Sequence, residues 1–127
     1  MTNQPPPGAH AAAETRTAGE TLGGALDALA LTIASRRDAD PATSYTASLL
    51  HAGPARCAKK LGEEGVEAAL AAVSGDKAAL AGEAADVLFH LMITLEACGV
   101  SPAAVAAALN ARKGVSGHDE KKNRPGP

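Results

Sequence analysis

Aromatic residues are nearly absent from this sequence, which has one Tyr, one Phe and no Trp among its 127 residues. Hydrophobic residues still make up 46%, and most of them are Ala, Leu and Val. Because alanine fills little volume, helices must approach closely to form a core, and the length suits one domain. A small helical unit often gains core by pairing with a copy of itself, so we expect a homodimer or a larger homo-oligomer.

Other scarce features exclude several classes of protein. Cys57 and Cys98 have no spacing that would indicate a zinc site or a disulfide framework, so we expect reduced thiols. The formal net charge of -2 shows no basic excess, which argues against a nucleic-acid partner. No apolar run approaches about 18 residues without a charge, so no membrane span is expected. The N-terminus also lacks the regions of a signal peptide, and we therefore expect a cytoplasmic protein.

Helical spacing runs through the middle of the chain, beginning with apolar residues at steps of three and four from Leu22 to Ile33. Caps, prolines and glycines divide the remainder of this region into further helices. The predicted spans are Leu22 to Arg37, a short helix capped by Thr43 or Ser44, Pro54 to about Val73, Asp76 to about Cys98, and Ser101 to about Arg112.

No segment alternates regularly enough to predict a strand. The sequence therefore predicts an all-α protein, a small bundle of about four to five helices completed by dimerisation. Residues 1–20, rich in Pro, Gly, Ala and Thr, are predicted to be a disordered tail, residues 21–113 the helical domain, and residues 114–127 a polar, mobile tail.

Acidic residues are crowded in two places. Glu63, Glu64 and Glu67 lie within five residues, and Glu83 and Asp86 lie three apart in a run that is otherwise apolar. With about 100° per residue, Glu64 and Glu67 are about 60° apart on one side of the third helix. We expect the apolar side of this helix to be formed by Leu61, Val66, Ala69, Leu70, Ala72 and Val73, with Glu64 at its border.

The fourth helix has apolar residues around almost its whole circumference, which is typical of a buried helix. Yet Glu83, Asp86 and His90 share one stripe of it, within roughly 60°. Unpartnered carboxylates are costly to bury, so something positive must face them. An arginine such as Arg36 or Arg56 is one candidate.

Ordinary explanations remain for each stretch alone. Lys59, Lys60 and the three glutamates could form a solvated face with ion pairs one turn apart. His90 could be a hydrogen-bonded core histidine, or it could support a neighbouring ligand. The two acidic pairs together favour a metal site, because two helices joined by a tight turn would bring four carboxylates to one interface. Such oxygen ligands suit Mg²⁺, with Mn²⁺ as the alternative.

These residues resemble those of a known enzyme family. The chain resembles the phosphoribosyl-ATP pyrophosphohydrolases of histidine biosynthesis, within the all-α nucleoside triphosphate pyrophosphohydrolases. The superfamily pattern EExxE followed by ExxD begins here at Glu63 and Glu83. The narrower likeness rests on SYTASLL from Ser44, GPARCAKKLGEEGVEAALAAV from Gly53, EAADVLFHL from Glu83 and the ending SGHDEKKNR. Phe89 departs from the Tyr that is usual in the family.

The resemblance implies a nucleotide-binding hydrolase, in a stand-alone form, that cleaves the α–β phosphoanhydride of phosphoribosyl-ATP with Mg²⁺. It implies Glu64, Glu67, Glu83 and Asp86 as metal ligands, with Glu63, Glu64 and Glu67 as the catalytic acids and His90 as a supporting residue. Substrate-binding cations would be Lys59, Lys60 and Arg124. Two other functions stay open, namely a house-cleaning dUTP or NTP pyrophosphatase and a non-catalytic helical dimer or scaffold.

Overall fold

A computed structural model describes residues 17–114 as five α-helices with no strand, so the predicted all-α class is confirmed. A short 3-10 turn, Ala18–Glu20, precedes the first helix. The helices are α1 Leu22–Ser35, α2 Tyr45–Ala52, α3 Pro54–Ser74, α4 Lys77–Ala97 and α5 Pro102–Ala111. The predicted tails fall largely outside the described residues.

The helix boundaries follow the capping residues of the sequence. The side chains of Thr21, Ser44, Asp76 and Ser101 each accept a hydrogen bond from a backbone N–H in the first turn of the next helix. Pro54 and Pro102 occupy first turns, where a missing N–H costs nothing. Gly75 ends α3 with a φ of 79°, a left-handed conformation that glycine adopts readily. α3 and α4 therefore form an antiparallel hairpin with a tight turn.

The core lies at one end of this hairpin. Its buried residues come from four helices and are Ile33, Leu49, Cys57, Met92 and Ile93. Both cysteines are free thiols, and the Sγ of Cys57 donates to the carbonyl oxygen of Leu49 at 3.3 Å. Arg37 links the loop after α1 to the end of α4 by an ion pair with Glu96 at 2.8 Å. α1 and α2 thus hold the hairpin at this end.

Burial differs from the predicted pattern toward the other end of the hairpin. On α3 the stripe that faces inward is Cys57, Leu61, Glu64, Ala68 and Ala71, because these residues recur at steps of three and four. The expected apolar side was therefore wrong in part, since Leu61 faces inward but three of its other large members are exposed in the single chain: Val66, Leu70 and Val73. Glu64 is within the inward stripe rather than at its border.

α4 is less enclosed than a helix that is apolar all round would be. Only His90, Met92 and Ile93 are buried, all in its second half, and Leu80 near its start is exposed. By length and composition alone α4 could cross a membrane, but the central helix of a soluble bundle passes the same test. The second half of α4 packs in the core, and Glu83, Asp86 and Glu96 place acidic side chains along its length.

Candidate active site

The α3–α4 hairpin brings the two acidic pairs together. Carboxylate oxygens of Glu64, Glu83 and Asp86 all lie within 4.8 Å of one another. The cause is local, because residues three apart lie on one side of a helix and the tight turn at Gly75 sets the two acidic sides against each other. The charge of Glu67 acts on both Glu64 and Glu83, so Glu67 belongs to the same cluster. We call these four residues the acid cluster.

Two oxygens of the acid cluster are buried without a hydrogen-bond partner. They are Oε2 of Glu64 and Oε2 of Glu83, one on each helix. A buried carboxylate oxygen without a partner carries a desolvation penalty, which a neighbouring cation or a proton can relieve. A positive charge beside these two oxygens would therefore be stabilising.

Burial and crowding raise the pKa values of Glu64 and Glu83. Burial is the largest cause that raises the pKa of Glu64 above its usual value near 4.5, followed by the charge of Glu67 and hydrogen bonding to it. Burial is also the first cause for Glu83, followed by the charges of Glu67 and Asp86. His90 opposes part of the effect on Glu64. The cluster thus favours protons, or a cation in their place.

No protein cation within the described chain neutralises the acid cluster through an ion pair. The two ion pairs between described residues are Arg37–Glu96 and Lys60–Glu63, and neither includes a member of the cluster. The arginines considered as partners, Arg36 and Arg56, are exposed and are not in these pairs. Four oxygen ligands of this kind suit a hard divalent cation.

His90 connects the acid cluster to α2. Its Nδ1 lies 2.8 Å from the carbonyl oxygen of Asp86, which can only accept, so Nδ1 donates. In the neutral ring, Nε2 then accepts from the hydroxyl of Tyr45 at 3.0 Å. Both nitrogens are engaged in this way, which agrees with a supporting role for His90. Phe89 completes the group, with its ring nearly parallel to that of Tyr45 at 6.4 Å between centroids.

The other predicted site residues lie around the acid cluster. Glu63 is on the exposed side of α3, where its Oε2 is 3.2 Å from the Nζ of Lys60. That ion pair is the first cause that raises the pKa of Lys60, and Tyr45 and Glu64 contribute to the same shift. Lys59 is exposed. Arg124 lies outside the described residues.

Sequence reasoning missed Tyr45 as a residue of this site. The signal that pointed to it was present, because Tyr45 is the only tyrosine of the chain and stands in the SYTASLL stretch. The sequence could not show that Tyr45 and His90 are close in space, since 45 positions separate them along the chain. Packing of α2 against α4 brings the two together.

Comparison with known proteins agrees with this geometry. A family model described as phosphoribosyl-ATP pyrophosphohydrolase matches residues 26–113, a span that contains the acid cluster, Tyr45 and His90. The chain belongs to this family. The resemblance expected from the sequence is thereby confirmed.

Relatives within this phosphoribosyl-ATP pyrophosphohydrolase family cover most of the chain. A protein named phosphoribosyl-ATP pyrophosphatase from Methylobacterium radiotolerans is 60% identical over 96 residues, covering 76% of this chain and 90% of the relative. One of the same name from Roseobacter denitrificans is 56% identical over 99 residues, covering 78% and 94%. A third, from Rhizorhabdus wittichii, is 54% identical over 102 residues, covering 80% and 96%.

Proposed function

We propose that the acid cluster is the active site for hydrolysis of phosphoribosyl-ATP to phosphoribosyl-AMP and pyrophosphate. Family membership makes the chain a hydrolase of histidine biosynthesis that acts on a phosphoric anhydride, as the sequence predicted. Its small-molecule partner is its nucleotide substrate, and we propose that it acts in the cytoplasm. The observation that carries the proposal is the convergence of Glu64, Glu83 and Asp86 within 4.8 Å, inside the span that the family model matches.

The acid cluster fits a divalent cation. Glu64, Glu67, Glu83 and Asp86 would hold Mg²⁺, or Mn²⁺ in its place, because both prefer carboxylate oxygens. The two orphan oxygens of Glu64 and Glu83 support this choice, since a cation would relieve the penalty of burying them. When bound, such an ion supplies charge neutralisation for phosphate oxygens and makes water more acidic.

The residues beside the cluster have separate tasks in this proposal. Lys60, whose ammonium group is 3.2 Å from Glu63, binds a phosphate of the substrate as a point charge. A phosphate there would compete with Glu63 for Lys60, and Glu63 could then accept a proton from the attacking water. Glu64 and Glu67, as proposed ligands of the cation, keep its positive charge at the site. Lys59 and Arg124 would add positive charge around the substrate.

Assembly as a homodimer is the second part of the proposal. Val66, Leu70 and Val73 form an exposed apolar stripe at steps of four and three along α3. Gly62 and Gly65 lie on the same helix, and a Cβ atom at either position would meet nothing within 4 Å. A second helix could therefore approach the backbone closely there. A second copy of the chain offers the same stripe, which is the self-complementarity that a twofold interface requires.

Release of pyrophosphate, measured over a panel of substrates, tests the function. We expect turnover with phosphoribosyl-ATP in the presence of Mg²⁺ or Mn²⁺, little with dUTP or common NTPs, and none in EDTA. A preference for dUTP would favour the house-cleaning function instead. Absence of turnover with every nucleotide, in a folded protein, would favour the non-catalytic scaffold.

A further inference from the structure

We propose that the ring of Tyr45 is the platform on which the adenine base of the substrate stacks. This inference rests on the proposed function and adds a residue that selects the nucleoside, which the acid cluster cannot do. Carboxylates and lysines recognise metal and phosphate, and these are common to all nucleotides. A purine presents a flat π surface, and an exposed aromatic ring is the usual protein group that meets it.

The position of Tyr45 supports this role. Its hydroxyl lies 3.0 Å from His90, and His90 is bonded to the backbone of Asp86 in the acid cluster. Tyr45 is therefore joined through His90 to the segment of α4 that carries Asp86, at a place where a nucleoside whose phosphates meet the acid cluster can reach it.

The ring is held in one orientation by three contacts. Its hydroxyl donates to His90, its plane is within 11° of that of Phe89, and it meets the edge of the His90 ring at 5.9 Å between centroids. Ser44 caps α2 immediately before it and fixes the start of that helix. A ring that is already oriented loses little entropy when a base stacks on it.

Exposure distinguishes Tyr45 from a core residue. Half of it, 50%, remains accessible to solvent, although aromatic side chains are the largest apolar groups a core can use. The chain has only two residues among Phe, Tyr and Trp, and the rings of both contact that of His90. One of these two aromatic side chains, Tyr45, is nevertheless half exposed. We take this exposure to indicate a surface that faces a ligand.

Kinetics of two variants separate the ring from its hydroxyl. Tyr45→Leu should raise KM for phosphoribosyl-ATP at least about fivefold, because a stacked base is lost, while kcat stays within about threefold of the wild type. Tyr45→Phe keeps the ring and loses only the bond to His90, so its KM should stay close to the wild-type value. Unchanged KM in Tyr45→Leu, or equal losses in both variants, would overturn the inference. Pyrophosphate release by wild-type protein tests the proposed function separately.

Intrinsic fluorescence gives a second, structural readout. Because the chain has one Tyr and no Trp, its emission on excitation near 280 nm reports Tyr45 alone. With Mg²⁺ present, adenosine 5′-(α,β-methylene)triphosphate should quench this emission, after correction with free N-acetyltyrosinamide, whereas inorganic tripolyphosphate should not. Equal responses to the two compounds would overturn stacking. If the emission changes on dilution of the protein but not on addition of the nucleotide, Tyr45 lies at an interface between copies of the chain, and the inference is also overturned.

Discussion

Neighbouring glutamates of one helix have different environments in this protein. Glu63 is exposed and paired with Lys60, whereas Glu64, the next residue, is partly buried and has an orphan oxygen between the helices. The difference follows from the step of about 100° per residue, which turns one side chain outward and the next toward α4. Chemical identity is the same, so position alone gives the two glutamates different environments.

Loss of one charge from the acid cluster should remove activity without unfolding the protein. Glu67→Gln and Asp86→Asn should each lower kcat/KM about 100-fold or more, because each weakens the cation site that neutralises phosphate charge. Circular dichroism on the same samples should show an unchanged helix content. Asp27→Asn, which removes an exposed carboxylate from α1, is the matched control and should leave activity near wild type. Near wild-type turnover in either cluster variant would contradict the site.

Stability of the metal-free protein should fall as pH rises. Burial, first among the causes, raises the folded-state pKa of both Glu64 and Glu83 above the unfolded value near 4.5. The folded state therefore binds more protons than the unfolded state just above pH 4.5, and stability decreases with pH until the folded pKa values are passed. In EDTA, Tm should accordingly be lower at pH 8 than at pH 5.

Millimolar Mg²⁺ should remove most of this pH dependence by raising Tm at the alkaline end, because a ligand that binds only the folded state stabilises it. Glu64→Gln should flatten the EDTA profile and lose much of the response to Mg²⁺. Coincident Tm curves in EDTA and in Mg²⁺ from pH 4.5 to 8.5 would show that no divalent cation binds among these carboxylates.

The hairpin of α3 and α4 is the element on which the site depends. Its turn is set by Gly75 in the left-handed region and by Asp76, whose Oδ1 accepts from the N–H of Ala79 at 3.0 Å. This turn fixes the register of the two helices and hence which acids face each other. α1 and α2 contribute the core at the opposite end and carry none of the cluster.

Removal of the cap at the turn should therefore destabilise the protein. Asp76→Ala should lower the free energy of unfolding by roughly 1 kcal/mol, because one N–H at the start of α4 loses its acceptor. Urea unfolding followed by circular dichroism measures this. Asp76→Asn, which keeps an acceptor oxygen, should recover most of the loss. If both variants are equally unstable, the carboxylate charge rather than the cap is what stabilises the turn.

The whole molecule has too little core for its apolar content. Few side chains of residues 17–114 are buried in the single chain, and large apolar residues remain exposed along α3 and at the start of α4. Light scattering at micromolar concentration should therefore give at least about twice the mass of one 127-residue chain.

Leu70→Glu should shift that assembly toward monomer, because it places a charge in the exposed stripe of α3. Leu31→Glu, at a comparably exposed position on α1, is the matched control and should leave the mass unchanged. A wild-type monomer, or equal effects of the two substitutions, would exclude the α3 stripe as the interface.

The sequence by itself determined where the helices begin and which acidic residues would meet between two of them. Ser44, Pro54, Asp76 and Pro102 predicted the helix starts because caps and first-turn prolines act within one turn of chain. The two acidic pairs were predicted to converge because helix periodicity and one tight turn are both local. The family was likewise identified from contiguous stretches of sequence, and the comparisons confirmed it.

Tertiary structure decided what depends on contacts between distant segments. The side of α3 that faces inward could not be chosen by hydrophobicity, because Val66 and Leu70 are more apolar than Glu64 and yet lie outside. The bond between Tyr45 and His90 exists because α2 packs against α4, and nothing in the spacing of 45 residues indicates it. Periodicity fixes angles around one helix axis, whereas the packing partner of each face depends on how all the helices are arranged.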